Sequence, residues 1–148
     1  MKMKNTIRII STISTLLVLG LPSIAFSEPV AVIVNSGNTD NVDAATVKAI
    51  YSDIKSVWAN GNTIMLLELP VTATAREGFA GAVLKKSASD AQADWSNRQM
   101  NNTIKNQPKV KRDKLVVKLV GKKVDAIGYV PASMAEGAEG VKVIMTIP

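Results

Sequence analysis

The sequence predicts an α/β domain built on a mainly parallel sheet flanked by helices, and two observations predict it. Strand-like apolar runs alternate along the chain with stretches of helical periodicity, the order that produces a parallel sheet covered on both faces. The first of those runs, Val30–Asn35, is continuously apolar rather than alternating, as in a strand buried on both sides, and closes on Asn-Ser-Gly-Asn.

The elements follow in order. From Asp43, a side chain suited to capping, Val47, Ile50, Tyr51 and Ile54 fall at the i, i+3, i+4, i+7 spacing of an amphipathic helix. Asn60-Gly61 marks a turn, and residues 63–69 read as a second strand stopped by Pro70. A loop at 71–74 leads to a helix over about 75–85 that buries Phe79, Val83 and Leu84 and ends on Lys85 and Lys86, where the helix dipole favours cations. Residues 89–101 give a further helix, capped by Ser89 and carrying Trp95. Beyond the Asn/Gln/Pro-rich link at 106–108, Leu115, Leu119 and Val116 mark another helix, reaching Gly121. Residues 125–131 and Val141–Ile147 read as the last two strands.

Ahead of this domain, Lys2, Lys4 and Arg8 precede an apolar stretch from Ile9 to Leu21, and Ala25-Phe26-Ser27 offers small residues at the positions a signal peptidase reads. Residues 1–27 are therefore expected to be a cleavable export signal cut before Glu28, the apolar stretch being shorter than the roughly 20 residues a bilayer crossing needs. With no cysteine in the chain there is no thiol for a lipid anchor and no disulfide framework, so a periplasmic location is expected. Residues 28–148 hold 15 Lys and Arg against 12 Asp and Glu, a charge of +3 that falls short of a nucleic-acid binder. Aromatics make up 4% of the chain, which leaves the core to Val, Ile, Leu, Ala and Met.

The absence of histidine and cysteine removes the commonest general base, the commonest metal ligand and the strongest nucleophile, so neither catalysis, a metal nor a cofactor is expected. Asp40, Asp43, Glu136 and Glu139 sit in Gly- or Asn-rich surroundings that read as turns and caps. The candidate binding site is Thr72, Ala73, Thr74 and Arg76, placed between a strand end and a helix start. There, hydroxyls, free amides and a guanidinium at the carboxyl edge of the sheet would cradle an oxyanion. The same spacing is met if Thr72 or Thr74 caps the helix and Arg76 pairs with Glu77 or Glu68. Seven of the positive charges lie in the run from Lys109 to Lys123, read as a solvated helix face or as an anion-attracting docking face. Trp58 and Trp95 read as core or rim anchors.

Taken in series, these residues resemble the phosphate-binding proteins of ABC transporters, in particular short, single-lobe members of that periplasmic family. The resemblance is carried by Val-Ala-Val-Ile-Val-Asn from Val30, by Val47-Lys48-Ala49-Ile50-Tyr51-Ser52-Asp53, and by Val57-Trp58-Ala59-Asn60-Gly61. It continues through Leu69-Pro70, Arg76, Phe79 and Trp95 to Ala126-Ile127-Gly128-Tyr129-Val130. It implies one periplasmic-binding-protein-like (type II) lobe, a non-catalytic role in holding phosphate or a similar oxyanion, and a membrane transporter or receptor as partner. Thr72-Ala73-Thr74 stands where the family has Ser-Gly-Thr. A single lobe lacks the second wall of a cleft, which homodimerisation across the ligand edge would supply. The alternative is a degenerate lobe that acts as a protein-interaction or sensory module without a small ligand.

Overall fold

A computed structural model describes residues 27–148, so the export signal assigned to residues 1–27 lies outside the described residues except for Ser27. The chain runs β1 (Val30–Asn35), α1 (Ala44–Tyr51), β2 (Met65–Glu68), α2 (Thr74–Phe79, continued by a π-helical turn at Ala80–Leu84), α3 (Ala88–Met100), β3 (Lys109–Val110), α4 (Asp113–Lys122), β4 (Ala126–Pro131), α5 (Ala132–Ala135) and β5 (Val141–Ile147). The strands form one sheet in the order β3-β2-β4-β1-β5. β2 pairs parallel with both β3 and β4, whereas β1 runs antiparallel to β4 and β5, so every strand except β1 points the same way. The mainly parallel sheet holds; the reversal of β1 was not visible in its sequence, because a strand buried on both faces reads alike in either direction.

Val30 to Val34 are all buried, as the unbroken apolar run requires. The two faces of the sheet are dressed differently. A methyl group added to Gly128 would lie 2.5 Å from Cγ1 of Val116, so this glycine is the dent into which α4 packs. Tyr129, one residue on and facing the other way, stacks on Phe79 with ring centroids 4.0 Å apart, and Tyr51 meets Phe79 edge-on at 4.6 Å. Thus α4 covers one face and α1 and α2 the other. All five described aromatics, Tyr51, Trp58, Phe79, Trp95 and Tyr129, are at most 3% exposed, whereas none of the described methionines is fully buried. The core is built from Val, Ile, Leu and Ala as expected, with the five rings in place of methionine; ring contacts add about 0.5–1.5 kcal/mol per pair beyond the area they bury.

Three helix assignments shift. α1 stops at Tyr51 rather than Ile54, and Ile54 is 70% exposed, because Asp53 turns left-handed at φ 61° to let its carboxylate accept the amides of Lys105 and Asn106 at 2.8 and 3.0 Å. α3 is capped by Ser87, which accepts from the Asp90 amide at 3.0 Å, and not by Ser89. α4 buries Val116, as expected, together with Val120, while Leu119 is only partly buried and Leu115 is exposed, since the dent at Gly128 selects that face. The cap at Asp43 stands, accepting from the Thr46 amide at 2.8 Å, and Asp40 accepts from the Ala59 amide at 2.9 Å.

Candidate functional site

Parallel pairing of β3, β2 and β4 puts their carboxyl ends on one edge of the sheet, and two chain segments leave that edge side by side. After β2 the chain turns at Leu69-Pro70, where the Ala73 amide donates to the Pro70 carbonyl at 2.9 Å, and enters α2. After β3 the Lys111 amide donates to the Glu68 carbonyl at 2.8 Å, and Arg112 begins α4. A shallow cavity of about 190 Å³ opens between the segments, lined by Leu69, Pro70, Ala73, Arg112 and Asp113. At about 30 Å³ per water molecule it has room for a small hydrated anion.

The sequence-predicted residues divide across this edge. Thr72 and Thr74 are exposed, and among the described residues neither hydroxyl makes a hydrogen bond. Neither caps α2; the N-cap is Ala73, which has no side chain to offer. The amides of Arg76 and Glu77 both donate to the Ala73 carbonyl, leaving those of Thr74 and Ala75 at the helix start without an acceptor among the described residues. Arg76, in contrast, is only 2% exposed and points inward. One terminal nitrogen donates to the Leu69 carbonyl at 2.8 Å, the other to Oε1 of Gln92 at 2.9 Å, and Nε lies 3.6 Å from Oε1 of Glu68. It braces the loop from behind, and pairing with Glu68, one of the two alternatives in the sequence, is what the fold contains.

Behind the loop lies a sealed polar cluster. The Tyr129 hydroxyl donates to Glu68 Oε1, and the Tyr51 hydroxyl donates to the Leu67 carbonyl at 2.9 Å. Burial raises the Glu68 carboxyl above its ordinary value, against the opposing pull of the Arg76 guanidinium and the Tyr129 hydrogen bond. Burial, reinforced by the neighbouring Glu68 charge, holds both phenols well above the ordinary tyrosine range, so they remain donors.

Arg112 is the residue that sequence reasoning passed over, folding it into the basic run. Its guanidinium is exposed and makes no ion pair or hydrogen bond among the described residues. Only the pairing of β3 with β2 brings it beside Ala73, and β3, two residues long, leaves no periodicity to read. Trp58 and Trp95 are buried as anchors, Trp58 donating to the Asp125 carbonyl at 2.9 Å and Trp95 carrying Arg98 at 5.1 Å over its ring. Among the described residues no cluster of acidic side chains could hold a metal ion, and no helix is long and apolar enough to cross a membrane.

The chain is similar in fold to solved structures. The crystal structure of an ABC-type phosphate transport receptor from Vibrio cholerae superposes with a TM-score of 0.60 over 80% of this chain, at 16% sequence identity. The fold resembles a periplasmic-binding-protein lobe. The chain spans 46% of that receptor's length. No protein-family model and no curated protein matches the sequence.

Proposed function

We propose that this chain is a non-catalytic, exported solute-binding module for phosphate or a similar oxyanion, working beside an ABC-type transporter in the periplasm. The observation that carries the reading is the carboxyl edge of the sheet, where the hydroxyls of Thr72 and Thr74 and the amides of Thr74 and Ala75 are all unpaired. Ala73, which stands between Thr72 and Thr74 in the chain, lines the cavity together with Arg112 and Asp113. Amides at a helix start carry partial positive charge, and a guanidinium adds paired donors for two oxygens of one anion. Arg76 positions this loop through the Leu69 carbonyl rather than touching the ligand. The likeness to a phosphate transport receptor supports the solute-binding role.

An edge open to water weakens each of these contacts, because the effective dielectric there approaches that of the solvent. A second wall, from another copy or from a membrane partner, is therefore part of the proposal. Titration calorimetry of the purified chain with phosphate and with sulfate tests it: saturable heat that disappears in Thr72→Val/Thr74→Val is the expected result. Absence of heat with either anion at millimolar concentration would leave the lobe as a module that recognises protein alone.

A further inference from the structure

The charge on this protein is sharply divided. Between Lys109 and Lys123 there are seven cations against Asp113 alone, whereas the remainder of residues 28–148 carries eight cations against eleven acids. The basic segment therefore dominates a domain that is otherwise acidic, and its charge is ordered along α4. Lys114, Lys118 and Lys122 recur one helical turn apart, all three are exposed, and none takes part in an ion pair among the described residues.

These lysines line one bank of a groove of about 430 Å³ between α4 and the turn that precedes β5. Val117 and Ala138 make its apolar sides, and the floor is a backbone crossing. A methyl group on Gly121 would lie 2.6 Å from the Glu139 carbonyl, and one on Gly140 would lie 2.5 Å from the Gly121 carbonyl. Gly140 also holds φ +71°, so both positions demand glycine and the groove stays open above them. Glu139 is the only acid in the lining, and three lysines outweigh it.

We propose that this groove docks an acidic segment of a partner protein, bound in extended form with a carboxylate at every second residue. The geometry selects that occupant. Lysines four residues apart on a helix are about 6 Å apart along its axis, and alternate residues of an extended chain are about 6.6–6.8 Å apart on one face. A Glu-x-Glu-x-Glu strand thus meets Lys114, Lys118 and Lys122 in register, while the intervening side chains point the other way, toward Ala138 across the groove. A trough suits a chain lying within it, whereas an anionic bilayer offers a flat surface that would reach the lysine bank and miss the apolar sides. The docking does not depend on the oxyanion site.

Fluorescence anisotropy of the purified chain with two labelled peptides of equal composition tests the inference, one alternating Glu and Ala, the other with its Glu residues in one block. The alternating peptide should bind more tightly, and its binding should weaken as salt is raised. Each Lys→Gln change in the stripe should weaken it by about threefold, and Lys114→Gln/Lys118→Gln/Lys122→Gln by at least about tenfold. The variant Lys48→Gln/Lys55→Gln/Lys105→Gln, with the same change in net charge elsewhere, should bind as the parent does. Equal affinity for the two peptides, or equal loss in both triple variants, would overturn the inference. So would binding confined to vesicles containing phosphatidylglycerol, or self-association that disappears with the stripe.

Discussion

The inner and outer sides of the turn after β2 are built from neighbouring residues and do opposite things. Inside, Glu68, Arg76 and Tyr129 are sealed from water and partnered with one another, with Leu69 and with Gln92. Outside, Thr72, Thr74 and Arg112 are exposed and unengaged. Donors already committed to the protein give the loop its shape, and donors left uncommitted at the surface are those free to meet a ligand. The difference teaches that an arginine near a ligand loop is assigned by where its nitrogens point, and Arg76 and Arg112 point to opposite sides.

The sharpest way to break this division is to remove the inner brace. Arg76→Met leaves a buried carboxyl without its cation and should cost about 3–5 kcal/mol, read as a lower urea midpoint; Arg76→Met/Glu68→Gln should recover much of that loss. If Arg76→Met folds as stably as the parent and only anion binding suffers, the inner and outer roles are reversed. Next in size, Gly128→Ala presses a methyl group on Val116 and should cost about 1–3 kcal/mol of stability with little effect on the outer edge. Arg112→Ala should leave the urea midpoint within about 0.5 kcal/mol of the parent while weakening phosphate about tenfold, the loss of one charge-assisted contact.

The smallest effect concerns pH. The Glu68 carboxyl is raised above its ordinary value of 4.5 in the folded protein, so the native state holds its proton more tightly than the unfolded chain does. Its contribution to stability is complete below pH 4.5 and is lost as pH rises through the raised folded value. Urea midpoints taken from pH 4.5 upward should therefore fall more steeply with pH in the parent than in Glu68→Gln, by less than about 1.4 kcal/mol per pH unit. Identical slopes would show that the Arg76 guanidinium fully offsets the burial.

Much of this fold is legible in the sequence because its signals are local. The unbroken run at Val30, the cap at Asp43 and the stop at Pro70 each depend on a few adjacent residues. The residues that carry the family resemblance, Tyr51, Trp58, Phe79, Trp95 and Tyr129, prove to be packing anchors. Such anchors are needed by the fold whatever its surface does, so they carry no information about a ligand. What could not be read depends on distant partners. Ile54 leaves its predicted stripe because Asp53 bonds Lys105 and Asn106; Arg112 joins the loop through a two-residue strand; Val120 is buried in place of Leu115 because of Gly128. The loop at 72–74 was found from its place between strand and helix, and the direction of Arg76 required coordinates.

The place of β1 between β4 and β5 has a further consequence, for the order of assembly. Val30 lies opposite Pro131 on one side and Ile147 on the other, so the first strand in the chain has both its neighbours among the last. A chain emerging from its amino end must keep this hydrophobic segment unpaired until β4 and β5 have been made. Contacts so remote in sequence slow folding, and here the pairing of β1 waits until β4 and β5 are available.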